Sequence, residues 1–398
     1  TMPMLLYTYL ATEMLAPFFA SLAVLTGVLF MGQMVPFLET IFDLRIGLAD
    51  FSRICAYLIP NLLLFAIPMA SMMAVIIAFT RLTADNEILA LKASGIGLGK
   101  MTGPVVAFAL GTALLTAFTS THLIPAGTVA TKKLLFQLAK EKIDRGLQER
   151  RFSEGIRDVV LYIDHIDRDT GQWQGVYLAD LRDQETPITI FARTGNLKAN
   201  LSTMRLTLNL EDGTLHRSAG DATQTIRFGG YAINLPMQAP MFVAGEAANQ
   251  VGQRGLSQVE LQREAARLGP LTPTGRGYLV EFHRRYSLPL GCFLLTLLGL
   301  PLAIRSRPGY RPLGLPLGLT AFILYYVLFT AGQSLADSGT LPVLPAMWAP
   351  NLLFALLTLV LLRSAAKEST GQRLERLLDR ILDLGGRLRP ASKRRPRP

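Results

Sequence analysis

The chain has 398 residues, 50% of them hydrophobic, with 40 Lys and Arg against 29 Asp and Glu and a net charge of +11. Such a balance raises nucleic acid as a partner, but the positions of the charges, set out below, exclude it. Two cysteines, Cys55 and Cys292, exclude a disulfide framework.

Six windows carry no Asp, Glu, Lys or Arg: residues 14–38, 54–80, 101–131, 286–304, 312–336 and 338–362. Each exceeds the roughly 18 residues needed to cross a bilayer. A charge at the bilayer centre costs about 2.5–3.5 kcal/mol, and six clean windows are therefore a physical signal. Core helices of a large soluble protein would instead carry a polar stripe. The first window lacks a basic n-region and a small-residue cleavage site, so it reads as a retained helix and not a signal peptide.

Arg45 and Arg53 lie between the first two windows. Between the second and third, residues 81–96 read as a short amphipathic helix, with Asp85 and Glu87 in its first turn and Gly95 placed to close it. It is either a solvated interfacial helix or a coupling helix that presents Glu87 and Lys92 to a cytoplasmic motor. Pro125 and Gly127 are expected to loosen the end of the third span, after which residues 132–151, opening on Lys132 and Lys133, resume helical spacing.

From about 128 to 257 the period changes. Residues 159–163, 175–178, 188–192, 204–210 and 225–228 are short runs rich in β-branched and aromatic residues, separated by turn formers, and read as strands. Asp212-Gly213 is expected to be a tight hairpin. This spacing favours an antiparallel sandwich or jelly roll over a parallel sheet. With 16 basic and 15 acidic residues the insert is nearly neutral, which argues against a polyanion surface. Ser257-Gln258-Val259-Glu260 has the pattern of a capping box, and Gly269-Pro270 ends the helix it starts.

Charge decides orientation. Loops 81–100 and 305–311 and the tail from Arg363 carry three, three and eleven Lys or Arg, whereas loops 37–53 and 337–347 carry only Arg45 and Arg53. By the positive-inside rule the first set is cytoplasmic, both termini lie inside and the insert lies outside. In the tail, Leu374, Leu377, Leu378, Ile381 and Leu382 recur at helical spacing among Arg373, Arg376, Arg380 and Arg387, which fits a helix on an anionic membrane surface.

Catalytic motifs fail on inspection. The stretch Ser94-Gly95-Ile96-Gly97-Leu98-Gly99-Lys100-Met101 has Ser where a phosphate loop needs Gly, and Met where it needs Ser or Thr. His122, His165, His216 and His283 are scattered without metal-ligand spacing, and no nucleophile elbow or zincin helix occurs. Ion-driven transport is disfavoured because no carboxylate lies inside the windows.

Tyr9-Leu10-Ala11-Thr12-Glu13, the 81–96 loop, the β insert, Glu281-Phe282-His283-Arg284-Arg285 leading to Pro289-Leu290, Leu298-Gly299-Leu300-Pro301-Leu302 and Trp348-Ala349-Pro350-Asn351-Leu352 form an ordered set. In this order around three plus three spans, the chain resembles the LptF/LptG permeases of the lipopolysaccharide export ABC transporter over nearly its whole length. The Tyr-to-Glu pattern and Asp85-Asn86-Glu87 resemble the LptF branch more than the LptG branch.

The resemblance implies a helical inner-membrane protein with six spans and a central, periplasmic, jelly-roll-like all-β domain. It implies a non-enzymatic permease that pairs with a second, homologous permease on a dimeric cytoplasmic ATPase, with ATP and Mg used by that partner and no cofactor bound by the chain itself. Lipopolysaccharide would enter a cavity lined by the first and fifth helices, then pass through the β domain to periplasmic bridge proteins of jelly-roll type. Arg81, Asp85, Glu87 and Lys92 would be the ATPase-coupling residues. Members of this family hold lipid phosphates with cations near the outer end of the first helix, and this chain has none between 14 and 38. The candidate head-group contacts here are therefore Arg45, Arg53, Lys132, Lys133, Arg284 and Arg285, for each of which interfacial snorkelling is the alternative.

The organisation expected is 1–127 for spans one to three, with the coupling helix at about 81–98, then 128–257 for the β domain and its stalk. Residues 258–366 form the return stalk and spans four to six, and 367–398 the basic tail. The competing reading is a membrane-anchored periplasmic binding or assembly module without transport activity.

Overall fold

The computed structural model describes residues 2–44, 47–146, 149–156, 159–167, 172–181, 188–200, 205–219, 222–235, 252–304 and 314–366. Arg45 and the basic tail lie outside these described residues. The chain divides into two compact units, one of Thr1–Met31, Ile59–Pro125 and Leu256–Pro398, the other of Gly32–Leu58 and Ala126–Gly255.

The first unit is helical. The chain forms α1 (Met2–Leu44), α2 (Leu48–Ala84), α3 (Glu87–Ala93), α4 (Leu98–Phe118) and α5 (Ile124–Gly146) before the sheet. After it come α6 (Gln258–Leu268), α7 (Pro273–Ile304), α8 (Gly314–Ser338) and α9 (Val343–Ala366). Among the described residues six segments are long and apolar enough to cross a membrane: Met4–Met34, Leu48–Ala84, Leu98–Leu138, Pro273–Ile304, Gly314–Ser338 and Val343–Ala365. These match the six uncharged windows one for one.

The second and fourth spans form the hub. In their most apolar stretches 72% and 78% of residues are buried, against 11% for the first span and 22% for the fifth. Close approach at the hub depends on small residues: a Cβ on Gly299 of α7 would lie 3.0 Å from Met72 O of α2. Since lipid tails are as apolar as leucine, side-chain hydrogen bonds add the specificity that hydrophobic burial cannot. Ser71 and Thr296 hydroxyls stand 2.7 Å apart between α2 and α7. Tyr325 Oη of α8 donates to Asn351 Oδ1 of α9 at 2.8 Å, and Asn351 Nδ2 donates to Ser287 O and Oγ of α7.

The third span differs from expectation. Pro125 and Gly127 do not interrupt it, because α5 continues directly from α4 through a π-helical turn at Thr119–Leu123. Proline removes one backbone donor and clashes with the preceding turn, and the wider π turn just before Pro125 absorbs that misfit without breaking the helix.

The second unit is built on six strands: β1 (Phe152–Ile156), β2 (Val159–Ile166), β3 (Trp173–Asp180), β4 (Ile188–Asn200), β5 (Arg205–Ala219) and β6 (Ala222–Leu235). They form one sheet in the order β1-β2-β3-β4-β5-β6, every neighbour antiparallel. The antiparallel β domain expected from sequence is present. The described strands pair as a sequential meander, and no jelly-roll crossover occurs among them.

A crease crosses this sheet. The register is constant on both sides of a line through Asp164, Gly175, Arg193, Asp212 and Gly229, but the ladder skips each pair on that line. On one side the core-facing residues are Val159, Leu161, Ile163, Val176, Leu178, Ile190, Ala192 and Leu215; on the other they are Trp173, Leu208, Leu210 and Ile233. In β5 the inward positions therefore pass from even to odd numbers, which a strand of period two permits only through a local irregularity. Gly175 (φ 64°) and Asp212 (φ 52°) supply it in the left-handed region. Both halves thereby turn their apolar residues into one core, which also receives Phe136 of α5.

The crease corrects the reading of Asp212-Gly213 as a hairpin. Gly213 pairs with Ala192 on one side and Phe228 on the other, so β5 runs straight through. The left-handed residue is present at Asp212, but it reverses the pleat and not the chain. On the opposite face, Phe152, Tyr162, Tyr177 and Phe191 align across four strands beside a concavity of about 860 Å³.

The capping box is present as expected. Ser257 Oγ accepts from the Glu260 amide, Glu260 Oε2 accepts from the Ser257 amide at 2.8 Å, and Gly269 ends α6 at φ 87°.

Candidate functional site: the elbow at residues 81–96 and the first helix

Residues 81–96 form an elbow and not a single helix. Arg81 still belongs to α2, which ends at Ala84, while Asp85 and Asn86 make the turn. Asn86 takes φ 59°, a conformation its short polar side chain tolerates, and its carbonyl accepts from the Ala90 amide at 3.0 Å. Asp85 therefore sits before α3 and only Glu87 lies in its first turn, which corrects the expected helix start. Gly95 (φ 79°) closes α3 as expected: its amide donates to Lys92 O and that of Ile96 to Leu91 O, both at 3.0 Å.

The seven residues of α3 are two-faced. Ile88 is buried with Leu10 and Met14 of α1, Leu82 of α2 and Leu98 and Met101 of α4, and Leu91 and Ile96 pack against the same cluster. Leu89, Ala90 and Ala93 face outward, Leu89 with 65% of its surface exposed. Leu89 is the apolar side chain at the centre of this outward face, between charged neighbours that the sequence alone brings to notice.

The charged residues predicted here are brought together, with partners on α1. Tyr9 Oη donates to Glu87 Oε2 at 2.7 Å, the length of a charge-assisted bond. Arg81 lies 3.6 Å from Glu13 of α1 and 3.8 Å from Asp85. With 70% of the Arg81 side chain exposed, each of these ion pairs contributes at most about 1 kcal/mol. Lys92 is half-buried on the flank of α3.

Among its described side chains α1 buries Leu10, Met14 and Phe18 and partly buries Leu22, Leu25 and Met34, whereas Phe19, Val24, Val28 and Met31 are each more than 60% exposed. α8 likewise exposes Ile323, Leu324 and Val327. Within a bilayer these faces meet lipid tails, a transported lipid or another protein.

The cations expected to meet lipid head groups have different fates. Arg53 is exposed and lies 3.2 Å from Asp50; Lys133 is exposed and Lys132 half-buried. Arg284 and Arg285 are almost wholly buried, each with its Nε 3.0 Å from a different oxygen of Glu281, and Arg285 also donates to Leu256 O at 2.8 Å. The chain therefore does not present these two to a lipid surface. They pair with Glu281 inside α7, and Arg285 ties that helix to Leu256, because an unpaired guanidinium at 0% exposure would be far more costly than a paired one.

Residues 8–364 match the model of the family described as lipopolysaccharide export system permease LptF/LptG. The lipopolysaccharide export system permease protein LptF of Escherichia coli K12 is 22% identical over 369 residues, covering 90% of this chain and 94% of that protein. An uncharacterized protein of Rickettsia prowazekii is 22% identical over 304 residues, covering 76% of this chain and 82% of its own length.

Proposed function

Since the chain belongs to the LptF/LptG family of lipopolysaccharide export permeases, we propose that it is one permease of a pair mounted on a dimeric cytoplasmic ATPase. The pair takes lipopolysaccharide from the inner membrane and delivers it, by way of the β domain, toward periplasmic bridge proteins. ATP and Mg belong to the partner ATPase. Both termini and the coupling elbow face the cytoplasm and the β domain faces the periplasm, a reading supported by the excess of basic residues in the first set of loops.

The observation that carries this reading is the unequal burial of the spans. Within one chain the first and fifth helices are the least covered, at 11% and 22%, and they are the pair that would line a lipid cavity shared with a second permease. A chain whose helices merely anchored a β domain would have no need to leave two separate spans unpacked.

The α3 elbow is the element through which the ATPase acts. Its outward face, with Leu89 at the centre and Asp85, Glu87 and Lys92 around it, enters a groove on the ATPase; closure of the nucleotide-bound dimer shifts the elbow and narrows the cavity. Arg53, Lys132 and Lys133 are the described cations left to meet lipid phosphates from this chain.

Purification of the chain from native membranes, with identification of bound proteins and lipid, tests the proposal. An ATPase, a second permease and lipopolysaccharide are expected together. Recovery of the chain without an ATPase would overturn it in favour of an anchored binding module. Glu87→Ala is expected to weaken ATPase association while leaving the membrane fold intact.

A further inference from the structure

Two stretches far apart in the sequence meet in the structure. Tyr9 and Glu13 stand one helical turn apart on α1, and their partners Glu87 and Arg81 flank the turn between α2 and α3. The result is a two-point clasp: a hydroxyl–carboxylate bond of 2.7 Å and an ion pair of 3.6 Å, 78 and 68 residues apart in sequence. Beneath it, Ile88 of α3 packs in the same cluster as Leu10 and Met14 of α1.

The clasp is poorly placed to serve stability. Tyr9 is 40% exposed and the Arg81 side chain 70% exposed, and hydrogen bonds and ion pairs at such sites add little to folding. It is well placed to transmit motion. α1 is tied most firmly near its start, where Leu10, Met14 and Phe18 are buried, while beyond them Leu22 and Leu25 are only partly buried. From Tyr9 to Met31 it runs over roughly 33 Å at 1.5 Å per residue, with Phe19, Val24, Val28 and Met31 exposed on its outer face. A helix bonded at one end and more loosely packed beyond it serves as a lever.

We infer that Tyr9 and Glu13 are positioning residues that lock α1 to the coupling elbow through Glu87 and Arg81, so that displacement of α3 tilts α1 and changes the width of the lipid cavity. This rests on the reading that α3 meets the ATPase. The acceptor capacity of Glu87 allows both contacts at once: Oε2 takes the Tyr9 hydroxyl, and the other oxygen remains to accept from a partner. The clasp also gives a mechanical role to the Tyr-to-Glu pattern of α1.

The test uses the assembled complex of this chain with its partner permease and ATPase in lipid vesicles, with lipopolysaccharide delivered per ATP hydrolysed as the readout. Tyr9→Phe removes the hydroxyl alone. ATPase co-purification and nucleotide hydrolysis are expected within about two-fold of the parent, while lipid delivered per ATP falls at least five-fold. Spin labels at Leu5 and Ser94, both exposed, with Cys55→Ala in the background, are expected to keep a fixed separation through the nucleotide cycle in the parent and to separate variably in Tyr9→Phe. An unchanged lipid-to-ATP ratio in Tyr9→Phe, or label separation insensitive to it, overturns the clasp. Absence of the ATPase from the parent complex would instead overturn the functional reading beneath it.

Discussion

Arg285 Nε donates to Glu281 Oε1 at 3.0 Å, with the arginine side chain wholly buried and the carboxylate 8% exposed. Glu281 Oε2 lies equally close to Arg284 Nε. One carboxylate thus serves two guanidinium groups on a single turn of α7, and Arg285 extends the link to the backbone of Leu256, just before the capping box of α6. Three charged residues inside α7 look costly in isolation; together they tie its third turn to the residue before the α6 capping box.

Removing the shared acceptor should therefore be severe. Glu281→Ala takes from two buried cations the carboxylate they share, and the expected loss is about 3–5 kcal/mol. Thermal unfolding of the purified protein in detergent checks this, and a variant melting within a degree of the parent would contradict it. Arg53→Ala, at an exposed site, is expected to leave the melting temperature unchanged.

The Asn351 junction gives a second, milder case. Its amide nitrogen donates to Ser287 O and Oγ and its oxygen accepts from Tyr325, so three helices share one side chain. Asn351→Ala is expected to cost about 1–2 kcal/mol, the upper part of the range for side-chain hydrogen bonds between membrane helices. The same unfolding measurement, read alongside the proteolytic susceptibility of the α8–α9 connection, tests whether the loss is local to that junction.

At the crease of the sheet, Gly175→Ala would place a methyl group 2.9 Å from Asp164 Cβ at a φ of 64°. The left-handed conformation alone costs about 1–2 kcal/mol for a residue with a Cβ. The β domain should lose hydrogen-exchange protection in β2 and β3, while the helical spans keep theirs. Uniform loss throughout the chain would show that the crease is not a local feature of the sheet.

The start of α6 should be sensitive to acid. The Ser257 amide and hydroxyl bonds hold the Glu260 carboxyl below its ordinary value. Its contribution to stability is thus present above the unfolded carboxylate pKa and is lost as pH falls through the lower, folded value. Exchange of the first α6 amides is expected to quicken on acidification through that window in the parent. In Glu260→Gln that pH dependence should be absent, and its persistence would place the acid response elsewhere.

How much of this was legible in the sequence depends on the range of the physics involved. The six spans were, because insertion into hydrocarbon is decided by the composition of each segment alone, and the capping box was, because it needs only four consecutive residues. The strands of the insert were visible by their alternation, and the family by an ordered set of short motifs. Asp212-Gly213 was read as a turn because its local chemistry permits one; only pairing with Ala192 and Phe228 shows that the strand continues. Arg284 and Arg285 looked like lipid-facing cations because sequence does not reveal that Glu281 one turn earlier is buried with them. Tyr9 and Glu87 were each singled out, yet their bond joins positions 78 residues apart. Hydropathy is a property of each stretch by itself, whereas burial, pairing and the grip of α3 on α1 are properties of what the rest of the chain brings alongside, and only the folded molecule contains them.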